Sequence, residues 1–286
     1  MTHSLSTHAP YLTPAVHRLI DMALEEDIGS GDITTGHLVA PGTMGRGEIV
    51  AKTDLVLAGM AVARCVFERL DAQLQFTADA ADGTVVAAGS VVARLSGRLD
   101  ALLMAERTAL NFLQRLSGIA THVRRYVQLL ADSRIRLVDT RKTTPGWRVL
   151  EKYAVRMGGA SNHRMGLFDG VLIKDNHIAA CGGITVAVEA IRRQVSHLTR
   201  IEVEAADQAQ VREALDAKAD VIMLDNMDLA AVKQAVSLIG GRALVEVSGG
   251  VTEANLRAMA DAGVDLISVG ALTHSAQAVD ISMDIQ

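Results

Sequence analysis

Six hydrophobic runs in the second half of the chain each lead to a residue type that can do chemistry. Residues 134–139 (RIRLVD) run into Thr140, Arg141 and Lys142, and 170–174 (GVLIK) end on Lys174. Residues 199–204 (TRIEVE) end on Glu204, and 220–224 (DVIML) precede Asp225 and Asn226. Residues 243–247 (ALVEV) lead to Ser248, Gly249 and Gly250, and 265–269 (DLISV) end on Val269 before Gly270 and Ala271. Arginine forks grip carboxylates and phosphates, lysine supplies a mobile positive charge, and glycine loops let backbone N–H groups approach an anion. Glu204 and Asp225 lie 21 residues apart on successive runs. If those strands are neighbours, about 4.8 Å apart, the two carboxylates suit a hard cation such as Mg²⁺ shared with substrate phosphates. A salt bridge from either acid to Lys174, or a helix cap by Asp225, explains them equally well.

Charge is segregated along the chain. Residues 141–174 hold seven Lys/Arg and two acids, a net +5, whereas the whole chain is −5 and the remainder therefore −10. A cationic cluster in an acidic protein points to a small, multiply anionic ligand. Arg148, Lys152 and Arg156 recur every four residues, which a solvated helix face explains as readily as a site.

The elements that position these residues follow from periodicity. Amphipathic segments at 147–157, 184–195, 207–217, 229–238 and 253–262 alternate with the hydrophobic runs. That alternation reads as βα units with right-handed crossovers, and the nearly continuous aliphatic strands read as parallel and covered on both faces. Chemistry at almost every strand end favours a closed or nearly closed ring over an open sheet with one switch point. Glycine loops after the last two strands suit a phosphate.

The first hundred residues differ. Residues 1–12 read as a loose leader, 16–25 as a helix and 26–32 as a turn-rich loop. Short runs at 47–51, 55–58, 73–77, 84–87 and 90–95 read as strands around a helix at 60–70. A helix starting near residue 100 is expected to break at Gly118, with a second at 121–131.

Composition excludes other classes. Aromatics make up 3% of the 286 residues, so the core is aliphatic and stacking platforms for single-stranded nucleic acid are few. A net charge of −5 also suits a phosphate backbone poorly. Two cysteines, Cys65 and Cys181, make neither a disulfide framework nor a four-thiolate zinc site. No apolar run approaches the about 20 residues of a membrane span, and the N-terminus lacks a secretion pattern, so a cytoplasmic protein is expected.

Several long motifs, in order, resemble the quinolinate phosphoribosyltransferase family. They are EDIGSGDITT at 26–35, AERTALNFLQRLSGIAT at 105–121, DTRKTTPGWR at 139–148, NHRMGLFDGVLIKDNH at 162–177, IEVE at 201–204, IMLDN at 222–226 and EVSGGV at 246–251. The resemblance implies an α/β fold, with an incomplete TIM-like α/β barrel over 116–273. An α+β sandwich domain over 1–115 is then completed by the tail 274–286. It implies at least a homodimer with shared active sites. It also implies transfer from 5-phosphoribosyl 1-pyrophosphate to quinolinate with loss of CO₂, giving nicotinate mononucleotide for NAD biosynthesis. Arg141, His163 and Arg164 would hold the substrate carboxylates, joined by the partner subunit's Arg107, with Thr140 beside them. Lys142 and Lys174 would serve the phosphoribosyl pyrophosphate, and Glu204 and Asp225 the ribose hydroxyls and Mg²⁺; these four are the expected catalytic set. Ser248, Gly249, Gly250, Val269, Gly270 and Ala271 would cradle the 5′-phosphate, with His274 nearby. A molybdenum-transport-associated relative would lack the NHR and LIKDNH signatures, which are intact here. A non-catalytic phosphate-binding barrel would need only the glycine loops.

Overall fold

The structure, a computed structural model, describes residues 11–130 and 134–286. In chain order the elements begin with α1 (Pro14–Ile28), α2 (Ile33–Leu38), β1 (Met44–Ala51), β2 (Leu55–Val56), α3 (Met60–Leu70), β3 (Gln75–Ala78), β4 (Val85–Val86), β5 (Val91–Arg98) and α4 (Leu99–Leu129). They continue with β6 (Arg136–Val138), α5 (Arg148–Gly158), β7 (Val171–Ile173), α6 (Asp175–Cys181), α7 (Ile184–Arg192), β8 (Ile201–Ala205), α8 (Gln208–Asp216) and β9 (Val221–Asp225). The last are α9 (Leu229–Ile239), β10 (Leu244–Ser248), α10 (Glu253–Ala260), β11 (Leu266–Ser268), α11 (Ala271–His274) and β12 (Ile281–Ile285). Two compact units result. One holds the described residues up to Arg124, with Thr143–Gly159 and Thr273–Gln286; the other holds the described residues of Arg125–Lys142 and Ala160–Leu272.

The first unit is α+β. Its main sheet is antiparallel, in the order β12-β1-β5-β3, and β12 pairs with β1 from Gly47↔Ile285 to Ala51↔Ile281. Burial alternates along β1, as a strand with one covered face requires. Asp82 anchors this unit. Its carboxylate accepts the N–H groups of Gly59 (3.0 Å) and Met60 (3.2 Å), satisfying the start of α3 from a distance. The same group accepts the Tyr153 hydroxyl at 2.6 Å. Burial, then the Asp82 charge, hold the Tyr11 and Tyr153 phenols well above the usual range. Tyr11 falls within the segment read as a leader, yet it is buried; residues 1–10 lie outside the described residues.

Three local expectations change. The loop expected from residue 26 starts later, because α1 continues to Ile28, and α2 and α6 are additional helices. The break at Gly118 does not occur: α4 runs unbroken for 31 residues. Gly118 instead admits the returning tail, since a Cβ there would lie 2.1 Å from the Gln277 carbonyl oxygen. Ala131, the expected end of the second helix, lies outside the described residues. Nearby on α4, Arg115 donates to the carbonyls of Thr273 and Ala276 and pairs with the buried Glu151 at 3.3 Å. Phe112 stacks on Trp147 with ring centroids 4.7 Å apart. These contacts tie both α5 and the tail to α4. They explain why 143–159 belongs to this compact unit, although the sequence division at 115/116 assigns it to the barrel.

The second unit is a parallel six-stranded sheet in the order β6-β11-β10-β9-β8-β7. β6 and β7 are its edges, so the ring is open, as six βα strands rather than eight lead one to expect. Asp207 and Asp228 cap α8 and α9, and Thr252 forms a capping box with Asn255 at α10. Among the described residues no helix is long and apolar enough to cross a membrane.

Gly118→Ala should destabilise the protein by about 1–3 kcal/mol in urea denaturation, because the helix and tail cannot both keep their places. Gly36→Ala, at a helix position with nothing within 4 Å of the added carbon, should not destabilise it.

Candidate active site

Strand register brings the expected strand-end residues together on one face. Ile173 pairs with Val203, so Lys174 follows opposite Glu204, and its Nζ lies 2.8 Å from Glu204 Oε2. Glu204 pairs with Met223, placing Asp225 two residues further along the neighbouring strand on the same face. Ser248 pairs directly with Asp225. The ion pair open from sequence is therefore made by Glu204. Asp225 is not a helix cap: Asp228 caps α9, and Asp225 Oδ2 accepts the Asn226 side-chain amide at 2.8 Å. Asn226 itself is left-handed (φ 52°) and donates its N–H to the Ser248 carbonyl at 2.9 Å. A Cβ on Gly249 would meet Asn226 Oδ1 at 2.3 Å, and Gly249 also has a positive φ of 79°, so only glycine fits this turn.

The cations divide between the two units. Arg141 and Lys142 are exposed beyond β6, where the Lys142 N–H donates to Thr140 Oγ1 at 3.0 Å. Arg164 is half-buried and donates to the Gly170 carbonyl at 3.0 Å. Its guanidinium pKa is lowered, first by burial and then by the like charge of Arg141. Arg148, Lys152 and Arg156 fall in the other unit. Lys152 there is only 1% exposed, so the solvated-face reading fails for it, while Arg156 lies over the Tyr153 ring. Arg107 and His274 are also in that unit, both exposed, on α4 and at the end of α11. Val269 is buried and its N–H donates to the Val138 carbonyl, so its side chain is wall; Gly270 and Ala271 lead into α11.

His163 is not at the strand ends with Lys174. Its Nε2 lies 3.1 Å from Glu202 Oε2 and 3.7 Å from Glu246 Oε1, and its Nδ1 accepts the Arg164 N–H at 2.8 Å. Buried Asp139 accepts the His163 N–H at 2.9 Å and the Asn162 side-chain amide at 2.7 Å. A cavity of about 490 Å³ adjoins this cluster. It is lined by His163, Arg164, Glu202 and Glu246, and by strand-start residues such as Leu244 and Leu266, not by the strand ends. Sequence reasoning did not select Asp139, Glu202 or Glu246. The signal available was a charged residue inside an aliphatic strand, with Glu202 sharing the alternation phase of Glu204.

Two carboxylate groupings emerge. Glu204 and Asp225 offer hard oxygen donors from neighbouring strands, which fits Mg²⁺ completed by substrate oxygens. Among the described residues, a three-residue convergence of possible ligand atoms occurs instead at His163, Glu202 and Glu246, within 4.8 Å of one another.

Burial, then the charge of Glu202, raise Glu246 from its ordinary 4.5 to about 7, against the opposing pull of His163. The folded chain therefore binds more protons than the unfolded chain between about pH 4.5 and 7, and stability falls as pH rises through that window. The full penalty, roughly 3 kcal/mol, is present above it. Glu246→Gln should raise the thermal midpoint above pH 7 and lose that advantage as pH falls below about 4.5. Thermal unfolding followed across pH checks this.

Comparison with known proteins agrees with the geometry. Residues 32–117 match the N-terminal domain of quinolinate phosphoribosyl transferase and 119–284 its C-terminal domain. A probable nicotinate-nucleotide pyrophosphorylase (carboxylating) of Bacillus subtilis is 47% identical over 268 residues, covering 94% of this chain and 92% of that protein. The chloroplastic nicotinate-nucleotide pyrophosphorylase (carboxylating) of Arabidopsis thaliana is 40% identical, covering 98% and 84%. The solved nicotinate-nucleotide pyrophosphorylase of Francisella tularensis superposes with a TM-score of 0.92 at 40% identity, covering 98% of this chain and all of that one. With both domains matched in order over nearly its whole length, the chain belongs to the quinolinate phosphoribosyltransferase family.

Proposed function

We propose that this protein joins quinolinate to 5-phosphoribosyl 1-pyrophosphate, releasing pyrophosphate and CO₂ and forming nicotinate mononucleotide, a step in NAD biosynthesis. The observation that carries this reading is the like-charge interaction between Arg141 and half-buried Arg164. Two guanidiniums that repel each other are stabilised together by a ligand with two negative charges, and quinolinate is a dicarboxylate. The names of the relatives point the same way.

The chain's residues divide the work by chemistry. Arg141 and Arg164 bind and orient the carboxylates. Lys174 is held by Glu204 but is 45% exposed, so the pair is weak and the ammonium can turn to a phosphate as the leaving pyrophosphate gathers charge. Lys142 serves the same substrate. The turn Ser248-Gly249-Gly250, with Gly270 and Ala271, takes the 5′-phosphate. Glu204 and Asp225 would face the ribose hydroxyls and hold Mg²⁺, which when bound neutralises pyrophosphate charge. The ribose C1–O bond to pyrophosphate breaks through an oxocarbenium-like state, and the pyridine nitrogen bonds to C1. The cationic ring then takes up the electron pair as the adjacent carboxylate leaves as CO₂, and the ring carbon gains a proton. That sequence needs no catalytic triad; orientation and fixed charge supply the rate. The protein works as a cytoplasmic homodimer in which the partner subunit's Arg107 completes each site.

Loss of quinolinate absorbance with phosphoribosyl pyrophosphate and Mg²⁺ tests the activity. Binding of both ligands without turnover would instead support a non-catalytic phosphate-binding barrel. Arg164→Ala should raise the KM for quinolinate roughly 10- to 100-fold and change that for phosphoribosyl pyrophosphate much less. Mixing inactive Arg107→Ala with inactive Lys174→Ala subunits should restore part of the activity. No recovery despite demonstrated subunit exchange would argue against a shared site.

A further inference from the structure

His163 is held on every polar side by the protein itself. Its Nδ1 accepts the Arg164 N–H at 2.8 Å, so Nδ1 carries no proton. The ring proton therefore resides on Nε2, which donates to Glu202 Oε2 at 3.1 Å. Glu246 backs the same edge of the ring, with its Oε1 3.7 Å from Nε2. Side-chain exposure is 15% for His163, 10% for Glu202 and 2% for Glu246, so water does not loosen this arrangement. Below the ring, Asp139 is fully buried and holds the His163 N–H and the Asn162 amide. The main chain from Asn162 to Arg164 is thus clamped from two directions, and the residue it delivers is Arg164.

We propose that Glu202 is a positioning residue, fixing His163 so that the main chain at Arg164 aims its guanidinium at a carboxylate of the substrate, with Glu246 and Asp139 bracing the same segment. The inference rests on the reading of quinolinate as substrate. It assigns Glu202, Glu246 and Asp139 a role that the strand-end residues do not include. It also changes the part of His163: with Nδ1 accepting and Nε2 donating to Glu202, its ring orients an arginine instead of gripping the substrate. An arginine fork binds a carboxylate only when its plane is set, and small misplacements are costly.

Two measurements test the idea. In the unaltered protein, ¹⁵N NMR of labelled histidine should show His163 as the neutral Nε2–H tautomer at neutral pH. A ring protonated on Nδ1, or on both nitrogens, overturns the proposal whatever the variants do. Glu202→Leu removes the acceptor, and Glu202→Gln keeps one oxygen for the Nε2–H while its amide faces Glu246. Leu should raise the KM for quinolinate on the order of 10-fold or more with little change in that for phosphoribosyl pyrophosphate, and Gln should recover most of the loss. Both KM values moving together, or Gln behaving like Leu, would show a merely structural residue. If Glu202→Leu does not fold, Gln and the tautomer decide. A wild-type protein that turns over no quinolinate defeats the functional reading and leaves the tautomer result standing on its own.

Discussion

Two carboxylates inside a six-stranded parallel sheet have to be compensated, and much of the second unit follows from how that is done. Glu202 on β8 and Glu246 on β10 point to the same interior, where burial and mutual repulsion push one of them toward its neutral form. An apolar interior offers no partner, so a donor has to be brought in from a loop. The segment at 161–163 supplies it. Ser161 forms a parallel bridge with Val138, which aligns the segment beside edge strand β6, and His163 then reaches the acids. One unfavourable burial thereby fixes the course of the chain at an edge of the open ring.

The two sets of polar residues in this unit differ in kind. At the strand ends, contacts are exposed and exchangeable: Lys174 leans on Glu204, and Asp225 on the amide of its own neighbour. In the interior they are buried and mutually satisfied. A site that must bind highly charged substrates and release charged products benefits from the first kind, because weak pairs cost little to open. It depends on the second kind for rigidity, because a buried network has few alternative arrangements.

The first unit applies the same logic to chain connectivity. Glu151 is fully buried and is satisfied by Arg115 and by the N–H and hydroxyl of Thr144. Breaking such a pair leaves an uncompensated buried charge, which is far more costly than losing an exposed contact. Arg115 also holds the carbonyls of Thr273 and Ala276, so one guanidinium links α4, α5 and the tail that becomes β12. Gly118 sits one turn further along the same helix, at the closest approach of that tail.

Local periodicity determined most of the element plan. The parallel strands, the helices between them and α3 at Met60–Leu70 are legible in the sequence because each depends on residues within one segment. The strand-end residues Lys174, Glu204, Asp225 and Ser248 were legible for the same reason: a parallel ring places strand ends together whatever the loops do. What the sequence could not decide depended on distant partners. Gly118 looks like a helix breaker until the carbonyl of Gln277 lies against it. Lys152 looks solvated until its helix packs. His163 looks like a substrate ligand until two glutamates, 39 and 83 residues away, take its ring proton between them. Hydrogen bonding and burial across the fold, rather than residue type, decide what such side chains do, so only the tertiary structure could assign them.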